Sequence, residues 1–137
     1  MGQVTRGCVL DSNILIYHLS DQFGTVVQQA VLELLEGPVC ISVISRIEVL
    51  AWKGHTDESR GLAEALMSTF VEIGLDEAVV RATIGIRQSQ NVKLPDAIIA
   101  GSALVLDLPL VTRNTADFGK VENLRLINPF SQESGQP

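Results

Sequence analysis

Short apolar runs alternate along this chain with stretches of helical periodicity, and the runs end abruptly on small polar or acidic residues. The first, Val9-Leu10, lies between Gly7 and Asp11-Ser12-Asn13 and has the pattern of a buried strand. Val39-Cys40-Ile41-Ser42-Val43, Phe70-Val71-Glu72-Ile73, Leu108-Pro109-Leu110-Val111-Thr112 and Leu124-Arg125-Leu126-Ile127 read as the later strands. Alternating strands and helices need crossovers that cover both sheet faces. The expected fold is therefore α/β, a single three-layer domain with a mainly parallel central sheet flanked by helices.

Between the strands, Ile14 to Leu19 reads as a short helix, and Thr25 as the cap of a longer one to about Glu36, stopped by Gly37-Pro38. Ser45 is expected to open a helix carrying Ile47, Glu48, Val49, Leu50 and Trp52, with Gly54 as its terminator. Thr56 or Asp57 caps the next, with Leu62, Ala63, Leu66 and Met67 as its buried stripe. Asp76 begins a helix whose Gly85 implies a close packing contact, because Gly costs about 1 kcal/mol there relative to Ala. Pro95 opens a helix to Leu106, and its small residues Ala100, Gly101, Ser102 and Ala103 suit docking onto the sheet. The domain is expected over residues 1–130, with 131–137 as a flexible tail poor in apolar surface.

Hydrophobic residues make up 46% of the chain, enough for a packed core without a disulfide or structural metal. Cys8 and Cys40 each sit in an apolar run and read as small buried hydrophobes of a reducing compartment. No apolar run approaches the roughly 18 residues of a membrane span, and the N-terminus lacks a signal-peptide plan. A cytoplasmic location and no membrane partner are expected. The net charge of −6 excludes a basic coat for nucleic acid, but not a nuclease whose acids hold a metal ion.

Each acid has a bland explanation when viewed alone. Asp11 can cap a turn or helix, with Asn13 satisfying the same turn. Ser45-Arg46-Ile47-Glu48 matches a capping box. Asp96 follows Pro95 in a first helical turn, where the helix dipole favours a carboxylate by about 0.3 to 1 kcal/mol. Asp117 can lie in an exposed turn after Thr112-Arg113-Asn114, and spacing alone does not separate Asn114 from Asp117.

Together the acids say more. Asp11, Glu48 and Asp96 stand after strands or in the first turns of the helices that follow, where an α/β sheet opens its ligand crevice. Two unit charges 4 Å apart repel by about 4 kcal/mol at an effective dielectric of 20, so such a cluster calls for a counterion. Carboxylates suit Mg²⁺ or Mn²⁺, one or two ions, which activate water and stabilise a leaving oxygen. Arg113, Arg46 and Lys93 are candidates for gripping substrate phosphates.

Val9 to Tyr17, Ser42 to Glu48, Leu94 to Ala100 and Leu110 to Phe118 resemble the four signature segments of PIN domains, and most of all the VapC-type ribonuclease toxins. The resemblance runs from Cys8 to Pro129. It implies that Asp11, Glu48 and Asp96 are the core acids, that Asp117 is the more variable fourth, and that Thr112 and Asn114 support it. It further implies an RNA substrate, a small cognate antitoxin laid across the helices from Thr25 to Glu36 and from Asp57 to Thr69, and a homodimer. Two alternatives stand beside it. A phosphoacceptor receiver domain needs adjacent acids after the first strand and a Lys near the last, whereas Ser12 and Asn13 follow Asp11 and no Lys lies in the Leu108 to Thr112 strand or at its end; a PIN-like domain that only binds RNA or protein needs no acids.

Overall fold

Five strands form one parallel sheet in the order third, second, first, fourth, fifth, so chain order reverses beside the first strand. In this computed structural model, which describes residues 7–20 and 24–133, the strands are β1 (Cys8–Leu10), β2 (Val39–Ser42), β3 (Val71–Ile73), β4 (Leu110–Val111) and β5 (Leu126–Ile127). The helices are α1 (Ser12–Leu19), α2 (Thr25–Leu35), α3 (Val43–Leu50), α4 (Asp57–Met67), α5 (Glu77–Ser89), α6 (Leu94–Leu106), α7 (Thr115–Phe118) and α8 (Phe130–Glu133). The reversal between β1 and β4 is the switch point at which open α/β sheets bind their ligands.

Side chains alternate across the strands, and each set enters a separate core. Cys8, Leu10, Val39, Ile41 and Val111 pack with Ile14, Leu15, Val27, Val31, Val49, Ala63 and Met67 of the helices on one face. Val9, Cys40, Ile73 and Leu110 pack with Val79, Ile86, Ile98, Ile99 and Phe118 on the other. The two cysteines thus point to opposite faces of the sheet, and both are free thiols. Burial pushes the Cys8 thiol up to about 11, with Cys40 adding to the rise, which makes it inert.

Several local expectations are corrected. The helix after β2 begins at Val43, not Ser45: Ser42 is its cap and accepts from the Ile44 N–H at 3.1 Å, so Ser45-Glu48 is no capping box. Val43, expected in the strand, is the first helical residue, and α3 ends at Leu50 with Ala51 rather than Gly54 as its cap, which leaves Trp52 beyond the helix. Glu48 therefore lies in the second turn. Gly24, not Thr25, occupies the cap of α2. Thr56 caps α4, in a reciprocal box with Ser59. Leu62 is 60% exposed, so Ala63, Leu66 and Met67 alone form the α4 stripe.

The tight helix contact belongs to Gly101 rather than Gly85. A Cβ on Gly101 would stand 2.9 Å from Thr83 Oγ1, whereas Gly85 has nothing within 4 Å. The small-residue face of α6 is therefore used against α5 as well as against the sheet. Phe130–Glu133 forms a short helix against α2, its last three residues falling in the 131–137 stretch expected to be a tail, and 134–137 lie outside the described residues. Among the described residues no helix is long and apolar enough to cross a membrane.

Candidate active site

Asp11 begins the site because β1 ends one residue earlier. Its backbone occupies the cap position of α1, yet its side chain caps nothing. Instead the residue is 4% exposed and its carboxylate accepts a 2.7 Å hydrogen bond from Thr112 Oγ1, at the end of β4. Burial pushes the Asp11 carboxyl up to about 6, and the nearby charges of Asp96 and Glu48 add to this against the hydrogen bonds from Thr112 and the Ser12 backbone.

Thr112 Oγ1 also accepts from the Asn114 N–H at 3.0 Å, which fixes the chain as it leaves β4. Asn114 then caps α7, its Oδ1 accepting from the Asp117 N–H at 3.3 Å and its Nδ2 donating to Asp117 Oδ2 at 3.1 Å. The choice left open between Asn114 and Asp117 resolves into a pair: the amide orients the acid.

Glu48 is steered by two serines that the sequence did not mark as site residues. Ser12 Oγ donates to Glu48 Oε1 and lies 3.2 Å from Ser45 Oγ. A hydroxyl has one proton to give, and the carboxylate is the stronger acceptor, so the chain runs from Ser45 through Ser12 to Glu48. Both serines are buried. The usable signal was the three-residue spacing of Ser45 and Glu48, which in a helix begun at Val43 places both on one face.

Asp96 enters from the first turn of α6. Partial burial raises its carboxyl above the ordinary range, Glu48 and Asp117 raise it further, and Lys93 opposes them. Asp11, Glu48, Asp96 and Asp117, with Ser12, Asn13, Ile16, Lys93, Pro95 and Asn114, line one crevice of about 370 Å³ at the carboxyl edge of the sheet.

Among the candidate cations, Lys93 lines the crevice and the arginines do not. Arg46 is engaged by Glu72 of the edge strand β3 through two nitrogens. Arg113 lies over the rings of Phe130 and Tyr17 beside the crevice.

Hard oxygen donors from four segments, whose crowding helps hold the Asp11 and Asp96 carboxyls above their ordinary range, match the chemistry of a hard divalent cation. Among the described residues no three His, Cys, Asp or Glu side chains close directly around one point.

A PIN domain family model matches residues 8–124. The chain belongs to the PIN domain family. Among curated relatives, the tRNA(fMet)-specific endonuclease VapC of Shigella flexneri is 32% identical over 127 residues, covering 85% of this chain and 93% of the relative. At that similarity the chain is a VapC homologue. A toxin-antitoxin complex from Klebsiella pneumoniae contains a chain 31% identical with a TM-score of 0.74, covering 90% of this chain and 98% of that one. DNA-bound VapBC from Salmonella typhimurium shares the fold at 20% identity and a TM-score of 0.77, covering 91% of this chain and 99% of that one. The PIN match spans all four acid-bearing segments, and the parallel sheet with helices on both faces is the architecture of these relatives.

Proposed function

We propose that this PIN-domain protein is a Mg²⁺- or Mn²⁺-dependent endoribonuclease and the toxin of a toxin-antitoxin pair. The observation that carries this is the convergence of Asp11, Glu48, Asp96 and Asp117 on one crevice at the β1/β4 switch point. The VapC relative named as a tRNA endonuclease supports RNA as the substrate, and the toxin-antitoxin complexes support a small antitoxin partner.

Asp11 and Asp96 would hold the first cation, with Glu48 and Asp117 reaching it directly or through water. When bound, it would acidify the attacking water and neutralise charge on the phosphodiester being cleaved. Thr112 fixes Asp11 at the end of β4, Ser12 fixes the Glu48 rotamer, and Asn114 fixes Asp117. Lys93, which lines the crevice, would meet a substrate phosphate there. Cleavage leaves a 5′-phosphate and a 3′-hydroxyl.

The antitoxin has apolar footing on exposed Val26 and Leu32 of α2 and Leu62 of α4, and an Arg from it would neutralise the acids. A homodimer and a cytoplasmic location complete the proposal. The deciding experiment is RNA cleavage with Mg²⁺, with Mn²⁺ and with EDTA, using Asp11→Asn and Asp96→Asn. Cleavage is expected only in the unsubstituted protein with metal; cleavage that persists in EDTA or in both variants overturns the assignment.

A further inference from the structure

Among the described arginines, Arg113 alone has its guanidinium edge unclaimed by oxygen. Arg46, Arg60, Arg81 and Arg125 face carboxylates, and Arg87 donates to the Val92 carbonyl. Arg113 instead lies over aromatic rings. Its guanidinium carbon lies 4.2 Å from the Phe130 ring centre and 5.7 Å from that of Tyr17, and the two rings meet edge-on at 5.5 Å.

The location is as informative as the contact. Arg113 sits between Thr112, which holds Asp11, and Asn114, which lines the crevice. Tyr17 lies one helical turn beyond Asn13 on α1, and Asn13 and Ile16 both line the crevice. Phe130 opens α8. Contact with aromatic faces holds an arginine head group in place without using a hydrogen-bond acceptor, so its N–H groups stay available to a phosphate. The crevice itself is acidic and only Lys93 among its lining residues is cationic, so a polyanion entering it needs a cation at the lip.

We propose that Arg113, splinted by Phe130 and Tyr17, is a second phosphate subsite that holds an RNA backbone phosphate next to the one being cleaved. The proposal rests on the ribonuclease assignment and specifies how that site takes its strand. It also gives the C-terminal helix α8 a role, since Phe130 keeps the arginine aimed.

The test is binding of a short labelled single-stranded RNA to the Asp11→Asn protein across a salt series, which keeps the RNA intact. Arg113→Gln is expected to weaken binding about tenfold. It should also flatten the dependence of log affinity on log salt by about 0.7, the share of one phosphate contact on a single strand. Arg113→Lys should keep the slope and recover part of the affinity, and Phe130→Leu should lose affinity at unchanged slope. In otherwise unsubstituted protein, Arg113→Gln should raise KM more than it lowers kcat. Unchanged affinity and slope in Arg113→Gln overturn the subsite. Unchanged RNA binding with loss of a co-purifying protein partner also overturns it and assigns Arg113 to that partner. If the unsubstituted protein cleaves no RNA while the Arg113-dependent slope persists, the subsite stands and the nuclease assignment falls.

Discussion

Thr112 Oγ1 donates to Asp11 Oδ2 across 2.7 Å and accepts from the Asn114 N–H at 3.0 Å, so one hydroxyl ties the ends of β1 and β4 to the turn that carries Asp117. Two of the crevice acids are thereby placed by a single buried side chain.

Replacing that hydroxyl tests the tie. Thr112→Val keeps the shape but takes one hydrogen bond from the buried Asp11 carboxylate and the side-chain acceptor from the Asn114 N–H. The cost in stability is expected to be about 1 to 3 kcal/mol, read by urea unfolding. Because the lost bond lowers the Asp11 pKa, the acid limb of the cleavage profile should also move to higher pH. Thr112→Ser should restore both. A profile that does not move would disconnect Thr112 from the ionisation of Asp11.

The serines beneath Glu48 give a second expectation. Ser12→Ala frees the Glu48 carboxylate to rotate away from the crevice, and metal affinity measured by calorimetry should fall about tenfold, as for other groups that orient a ligand. Ser45→Ala should weaken it less, acting only through Ser12. Ser42→Ala should cost about 1 kcal/mol of stability through the lost cap and leave metal affinity unchanged. The reverse ranking of Ser42 and Ser45 would restore the capping-box interpretation.

These serines also mark where sequence patterns were and were not legible. The strand-helix alternation, the start of α5, both ends of α6 to within a residue, and the acids at strand ends follow from apolar runs and local caps, which are short-range signals. Which of Ser42 and Ser45 caps α3 does not, because Ser42-Val43 continues an apolar run and only the register of β2 against β1 and β3 ends the strand there. The exposure of Leu62 is likewise a tertiary fact, set by what lies beside α4 and not by its spacing.

Two of the helical glycines, Gly85 and Gly101, should respond with opposite signs. Gly85→Ala fills open space in an exposed helix and should stabilise by about 0.5 to 1 kcal/mol. Gly101→Ala drives a methyl against Thr83 Oγ1 and should destabilise by about 1 to 3 kcal/mol. Thr83→Ala removes that oxygen, so thermal unfolding of the double variant should recover part of the loss. No recovery would mean that the nearby Thr83 backbone N, 3.3 Å away, sets the limit.

Asp11 should oppose folding when no cation is present. Its carboxyl is raised from 3.8 to about 6, so the native state holds this proton more tightly than the unfolded chain does. The sign follows: the associated stability is present in full below pH 4 and is lost as pH rises through 6, a loss of about 3 kcal/mol by pH 7. Asp11→Asn removes the ionisation while its amide oxygen can still accept from Thr112. In EDTA the variant should therefore be more stable than the unsubstituted protein at pH 7, and the gap should close toward pH 4. Adding Mg²⁺ should reverse the order, since a ligand at a hundred times its dissociation constant stabilises the protein that binds it by about 2.7 kcal/mol. Urea midpoints at both pH values, with and without Mg²⁺, measure all of this. A variant less stable than the unsubstituted protein in EDTA at pH 7 would make Asp11 a structural residue at the head of α1.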